Sequence, residues 1–218
     1  MNTQIKRHPD AATLLSFAAG TLAEALAAVV SAHAATCKRC RRELSDLDIV
    51  GGFLLSTSTV ADPETALPLR VPPKPPMQPL VRAAIAPAKR DPLPATIAEA
   101  YGLSFDTIPW KRLGPGVWHH KLALSEGAEG DLRLLKISPG RMMPDHGHCG
   151  AELNLVLDGA FSDATGAYGA GDLQDVDEEV EHKPLADPAL GCICLIASER
   201  PARFKGFFGR LLQPLTGM

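Results

Sequence analysis

The sequence predicts a two-domain α + β protein in which a small helical bundle is followed by a β-barrel or sandwich. Three observations support this: helical periodicity up to about Leu55, a proline-rich middle, and short apolar runs separated by glycine-containing turns from about Tyr101. The chain has 218 residues, enough for two domains, and 45% of them are apolar. Each domain can therefore bury a core of its own.

Three helices are predicted in the N-terminal part. The first covers residues 9–19, and the second begins at Thr21, because Thr21 and Glu24 have the spacing of a capping box. The third runs from Cys37 to about Leu55. Its predicted apolar stripe consists of Leu44, Leu47, Val50 and Leu54. Three short helices bury little apolar surface, and domains of this size usually need an additional cross-link such as a metal ion.

A proline-rich stretch separates the two domains. Residues 62–94 contain ten prolines, a composition typical of extended chain. We predict a helical domain over residues 1–88, including the proline-rich segment from about residue 62. A linker over 89–97 and a second domain over 98–218 follow.

Charge and cysteine content exclude several classes of protein. Residues 95–218 carry eleven Lys/Arg and seventeen Asp/Glu, and the whole chain has a net charge of −3, which disfavours direct binding to nucleic acid. No apolar run is long enough to span a membrane, and Asp10, Gly20 and Glu24 interrupt the stretch that resembles a signal peptide. Five cysteines, an odd number, favour metal or redox use in a reducing compartment. We expect a cytoplasmic protein.

His33, Cys37 and Cys40 form the sharpest N-terminal motif. His33 is predicted at the end of one helix and the cysteines at the start of the next, so that all three face one point. Thiolate and imidazole ligands with tetrahedral geometry select zinc, and a closed site needs a fourth ligand. His8 is the other histidine of this region. The alternatives are a surface pair of cysteines, or a redox Cys-x-x-Cys, which would require a βαβ context.

A second set of candidate ligands lies in the C-terminal domain. His146 and His148 alternate across one residue and so share one face of a strand. Glu152 follows four residues later, and His182 lies thirty residues beyond it. Three histidines and one glutamate converging inside a barrel form a divalent metal site.

The remaining cysteines and histidines of this domain are less specific. Cys192 and Cys194 share one face of a late strand within an apolar run, which predicts either small buried hydrophobic residues or a redox pair. His119 and His120 are adjacent, point to opposite faces and receive no role.

Both sets of ligands resemble known families. The first cupin motif is matched by Gly140, His146, His148, Glu152 and Gly159. The second is matched in part: Gly171 and His182 fit, whereas Asp177, Glu179 and Ala186 replace its usual Pro, Gly and Asn. The N-terminal set resembles the metal ligands of the zinc anti-sigma domain. Its members are His8, His33, Cys37 and Cys40. The order of the two modules is similar to that of the ChrR-type zinc anti-sigma factors.

The resemblance implies a zinc-stapled helical bundle followed by a cupin barrel of the jelly-roll type. It further implies an anti-sigma factor that sequesters an extracytoplasmic-function (ECF) sigma factor, 1:1, and releases it in response to singlet oxygen or organic peroxide. Zinc is then expected in the N-terminal domain and a divalent metal, with zinc preferred, in the cupin domain. The alternative is a metal-dependent cupin enzyme, either a dioxygenase or a small-molecule hydrolase. A DNA-binding helix-turn-helix regulator is disfavoured by the weak positive charge of residues 1–60.

Overall fold

The structure is a computed structural model that describes residues 5–58, 92–147 and 149–200, together with the backbone of residues 203–204. The predicted proline-rich segment lies largely outside the described residues. No helix in these ranges is long and apolar enough to cross a membrane.

The predicted N-terminal helices are present as α1 (Ala11–Ala18), α2 (Glu24–Thr36) and α3 (Lys38–Thr57). Asp10 caps α1 by accepting a hydrogen bond from the Thr13 amide at 2.6 Å. The predicted capping box at the start of α2 was wrong. The Thr21 hydroxyl donates instead to the Ser16 carbonyl of the preceding turn.

Helix α3 packs one face of its first half against the core, whereas its second half is exposed. Leu44 and Leu47 pack against the core as predicted. Val50 and Leu54 were predicted to continue the stripe, but they are 54% and 58% exposed. The second half of α3 therefore projects beyond the bundle and presents apolar side chains to solvent.

A fourth helix, α4 (Ala95–Tyr101), ends at Gly102, whose φ of 61° is the left-handed conformation that favours glycine. Leu93 and Ile97, within the predicted linker, are 4% and 2% exposed and belong to the core cluster that includes α2. The end of the predicted linker is thus packed against the helical region.

Eleven antiparallel strands are found in the described residues after α4. Their bounds are β1 Lys111–Gly114, β2 Val117–Lys121, β3 Asp131–Ile137, β4 His146–Gly147, β5 Glu152–Asp163, β6 Gly166–Gly169, β7 Leu173–Val176, β8 Glu181–His182, β9 Leu185–Ala186, β10 Cys192–Ser198 and β11 Arg203–Phe204. Eight of them form one sheet in the order β1-β2-β3-β10-β5-β6, with β7 and β9 also paired to β5. The other three form a small sheet in the order β11-β4-β8.

The large sheet is buried on both faces. Its inner face forms one cluster with Val117, Leu135, Ile137, Val156, Phe161, Cys192 and Cys194. Its outer face forms another with Leu122, Leu132, Leu134, Leu153, Leu155, Leu173, Leu195 and Ala197. Helix α2 packs into this second cluster through Ala25, Leu26, Val29 and Val30. The helices and the outer face of the sheet therefore share one core.

The chain before α1, which we call the N-terminal segment (residues 5–10), also lies against the sheet. The Asp172 carboxylate accepts hydrogen bonds from the backbone amides of Lys6 and Arg7 at 2.6 and 3.0 Å. The amide of Leu173, the first residue of β7, donates to the Arg7 carbonyl at 3.2 Å. The N-terminal segment is thus fixed to the strand edge by backbone hydrogen bonds.

Candidate metal centres

The four N-terminal residues predicted from the sequence come together at one point. His8 lies in the N-terminal segment, His33 in the last turn of α2, and Cys37 and Cys40 at the start of α3. Their four ligand atoms all lie within 4.8 Å of one another. His8 Nδ1 is 3.4 Å from both sulfur atoms, and His33 Nε2 is 3.4 Å from Cys40 Sγ.

These distances fit a metal ion. Zinc–sulfur and zinc–nitrogen bonds of about 2.3 and 2.0 Å in a tetrahedron separate neighbouring ligand atoms by about 3.5 Å. His33, Cys37 and Cys40 are all at most 3% exposed, so that the centre is shielded from water. Two thiols and two imidazoles in this arrangement could hold a metal ion in the N-terminal region.

The electrostatics of this cluster also fit a cation. Burial, together with the neighbouring Cys37, raises the pKa of the Cys40 thiol to about 12. Burial and the nearby His8 lower the pKa of His33 to about 4, so that the imidazole stays neutral, which is the form that binds metals. A divalent cation between the four atoms would supply the positive charge that buried thiolates require.

The predicted cupin ligands are described only in part. His148 and the side chain of His146 lie outside the described residues. The backbone places His146 of β4 directly opposite His182 of β8, and directly opposed residues of an antiparallel pair share a face. Glu152, at the start of β5, is 7% exposed and His182 is 2% exposed. The burial of Glu152 and His182 and the register of His146 are therefore compatible with the predicted cupin metal site.

A buried carboxylate that sequence reasoning missed contacts one of these residues. His182 Nδ1 lies 2.7 Å from Asp163 Oδ2, and both side chains are at most 1% exposed. Burial alone would raise the pKa of Asp163, but hydrogen bonds from His182, Thr165 and Gln174 outweigh it and lower the pKa well below its usual range. Asp163 is therefore a carboxylate anion within the barrel wall.

Arg133 is a second polar residue of the barrel interior that the sequence did not identify. It is 4% exposed, forms an ion pair with Asp131, and places a guanidinium nitrogen 3.4 Å from His119 Nδ1. Burial lowers its pKa to about 10, while the charge of Glu152 acts in the opposite direction. The available signal was the oppositely charged pair Asp131 and Arg133, two residues apart in the mostly apolar strand β3. His119, left without a role, thus contacts a buried cation.

The two late cysteines lie side by side in the inner core. Cys192 and Cys194 share a face of β10, with their sulfur atoms 3.2 Å apart and no disulfide bond between them. A hydrogen bond with Cys192, together with burial, raises the pKa of Cys194. A redox role for the pair stays a prediction.

Comparison with known proteins covers both parts of the chain. Residues 99–201 match the family described as the ChrR cupin-like domain. The chain is 43% identical to the anti-sigma-E factor ChrR of Cereibacter sphaeroides over 96% of its own length and 97% of that relative. It is also similar to a chain in the crystal structure of Rhodobacter sphaeroides SigE in complex with the anti-sigma ChrR, with a TM-score of 0.72 and 37% identity. That match covers 89% of this chain and 99% of the other. The predicted fold class is confirmed by these matches.

Proposed function

The chain belongs to the ChrR family of anti-sigma factors, and we propose that it holds an ECF sigma factor in an inactive 1:1 complex. We further propose that singlet oxygen or organic peroxide, acting in the cytoplasm, releases the sigma factor. The near-full-length similarity to an anti-sigma factor carries this proposal, because it spans the helices and the barrel together. Family membership also confirms the prediction of a regulator over that of a cupin enzyme.

The exposed half of α3 supports a docking surface for the sigma factor, which we call the α3 patch. Its members are Ile49, Val50, Phe53, Leu54 and Leu55, each between 54% and 77% exposed. Contiguous apolar surface of this kind usually marks a protein interaction site. Positions 49 and 53, and likewise 50 and 54, are neighbours on the helix surface and form a continuous apolar strip.

In this proposal the N-terminal metal is zinc and has a structural role. Four protein ligands complete a tetrahedral site and leave no position open for chemistry. His8, His33, Cys37 and Cys40 would join the N-terminal segment, α2 and α3 at one ion. The α3 patch begins about two and a half helical turns beyond the second cysteine, so the ion would also set the direction in which α3 projects.

The cupin barrel is proposed to receive the signal. Its divalent metal, with zinc preferred, would be held by His146, His148, Glu152 and His182. Cys192 and Cys194 would form a second oxidisable group in the same interior. The domain boundaries predicted from the sequence, 1–88 and 98–218 with a linker between, remain part of this proposal, with the addition that the two domains share a core.

The docking surface is tested with a charge substitution and a matched control. Phe53→Asp in the α3 patch should reduce affinity for the co-expressed ECF sigma factor at least tenfold, because a charge would be buried in an apolar interface. Leu190→Asp is the control: Leu190 is 71% exposed, but it lies in the turn between β9 and β10. Co-purification and in vitro transcription measure the effect. Normal sigma binding by Phe53→Asp, or its loss in Leu190→Asp, would place the interface elsewhere.

The regulatory role is tested with the unmodified full-length protein. Co-expression with the ECF sigma factor should yield a 1:1 complex containing two equivalents of zinc, and adding organic peroxide should restore sigma-dependent transcription. A protein that purifies without the sigma factor and leaves transcription unchanged would contradict the proposal.

A further inference from the structure

The Asp163 carboxylate lies in the wall of the barrel, where a negative charge is costly. Its side chain is fully buried at the end of β5. An aspartate is rarely buried to this degree unless hydrogen bonds or ion pairs compensate for the lost hydration. Such a residue requires a reason to be retained at this position.

Four donors surround the carboxylate. The backbone amide and hydroxyl of Thr165 donate to Oδ1 at 2.8 and 2.6 Å, and Gln174 Nε2 donates to Oδ2 at 2.7 Å. The fourth donor is His182 Nδ1, at 2.7 Å from Oδ2. Because Asp163 only accepts, His182 must carry its hydrogen on Nδ1. This arrangement fixes the position of the carboxylate and orients the imidazole ring.

The remaining ring nitrogen of His182 is therefore the one able to bind a metal. A neutral imidazole with hydrogen on Nδ1 has a lone pair on Nε2, on the opposite side of the ring. Metal-binding histidines commonly donate their other N–H to a carboxylate, which fixes the tautomer and increases the basicity of the ligand. His182 is also one of the two buried side chains of the proposed cupin set.

We propose that Asp163 is the positioning residue of the cupin metal site, holding His182 in the tautomer and orientation that present Nε2 to the ion. Thr165 and Gln174 hold Asp163 in turn, so that the arrangement extends from β5 to β7. This inference rests on the proposed cupin metal site. Asp163 itself does not touch the metal.

The test compares two aspartates of the same strand in the full-length protein. Asp163→Asn should weaken zinc binding at the cupin site 10- to 100-fold, since loss of a carboxylate partner of a metal-binding histidine typically has this effect. Asp158→Asn is the control, because Asp158 is exposed on β5. Competition with a chelator measures the affinity, and the N-terminal site should retain its zinc in both variants.

Nitrogen-15 NMR of the metal-free protein provides a readout that a general loss of stability would not reproduce. His182 should carry its hydrogen on Nδ1 in the parent and in Asp158→Asn, and shift toward the other tautomer in Asp163→Asn. Thr165→Val removes one donor and keeps the carboxylate, so it should weaken zinc binding by a smaller factor. It provides the second measurement if Asp163→Asn does not fold.

The outcomes separate this inference from the proposed function. If His182→Ala and Glu152→Ala both retain zinc in the barrel, the proposed cupin site is wrong. If they lose it while Asp163→Asn, or failing that Thr165→Val, keeps the parent affinity and tautomer, the role of Asp163 is wrong and the metal site stands.

Discussion

The two candidate metal centres differ in what holds their ligands together. The N-terminal ligands come from a short segment and two helix ends, and their side chains meet at one point between these three elements. Of the proposed cupin ligands, His146, Glu152 and His182 lie on hydrogen-bonded strands in the part of the chain that the structure describes. His182 is additionally held by Asp163. We therefore expect the first site to form only when its metal binds, whereas the second site should keep its structure without a metal.

The largest expected effect follows from removing a ligand of the first site. Cys40→Ser should abolish N-terminal zinc binding and unfold α3, because apparent binding free energies of structural zinc reach roughly 10–16 kcal/mol. Far-UV circular dichroism with metal analysis measures both. Cys149→Ser, outside the cluster, is the control and should change neither. If helicity is unchanged after verified zinc loss, folding at the first site does not depend on the metal, and the proposed difference between the two sites is wrong.

A ligand removed from the second site should have a narrower effect. His182→Ala should remove the cupin metal and leave the helices and sigma binding intact, because the strands keep their hydrogen bonds. Release of the sigma factor by peroxide should be lost. His120→Ala on β2 is the control, and the measurements are zinc content, sigma affinity and induced transcription. Loss of sigma binding in His182→Ala would show that the barrel belongs to the inhibitory surface.

The smallest expected effect concerns the connection between the two regions. Asp172→Asn weakens the acceptor for the amides of Lys6 and Arg7, and hydrogen bonds to charged groups contribute roughly 1.5–3 kcal/mol. Amides of the N-terminal segment should exchange faster with solvent, and zinc should leave the first site several-fold faster.

Asp187 supplies the control for this substitution. Its carboxylate also accepts two backbone amides, those of Ala189 and Leu190, but within its own turn. Asp187→Asn should therefore destabilise the turn without affecting exchange in the N-terminal segment. If Asp172→Asn leaves exchange and zinc loss at parent rates, the segment is held by the metal alone.

Sequence spacing predicted the helices and the N-terminal cluster because both depend on local chemistry. Helix periodicity located α1 to α3, and the His-x3-Cys-x2-Cys spacing located three ligands of one site. The capping box failed because the Glu24 carboxylate instead accepts the amide of Ser125, about a hundred residues away. Local spacing contains no information about such a partner.

Long-range packing was the part that spacing did not reveal. Asp163 lies nineteen residues from His182, outside either motif, and their contact depends on how β5 and β8 come together. The shared core did leave a signal in the sequence. Leu153, Leu155 and Val156 make β5 apolar at consecutive as well as alternate positions, which indicates a strand buried on both faces.

The close contact between α2 and the sheet has a consequence for how such chains diverge. Gly130 has a φ of 103°, and a side chain there would lie 2.8 Å from the Ser198 carbonyl oxygen and 3.5 Å from Ala25 Cβ. Ala25 is itself fully buried, so a larger residue at position 25 would press against the bend at Gly130, which already lies close to the Ser198 carbonyl. A chimera that joins the helices of one relative to the barrel of another should therefore fold poorly unless the outer-face residues are exchanged with the helices. The two halves are expected to be inherited as one unit.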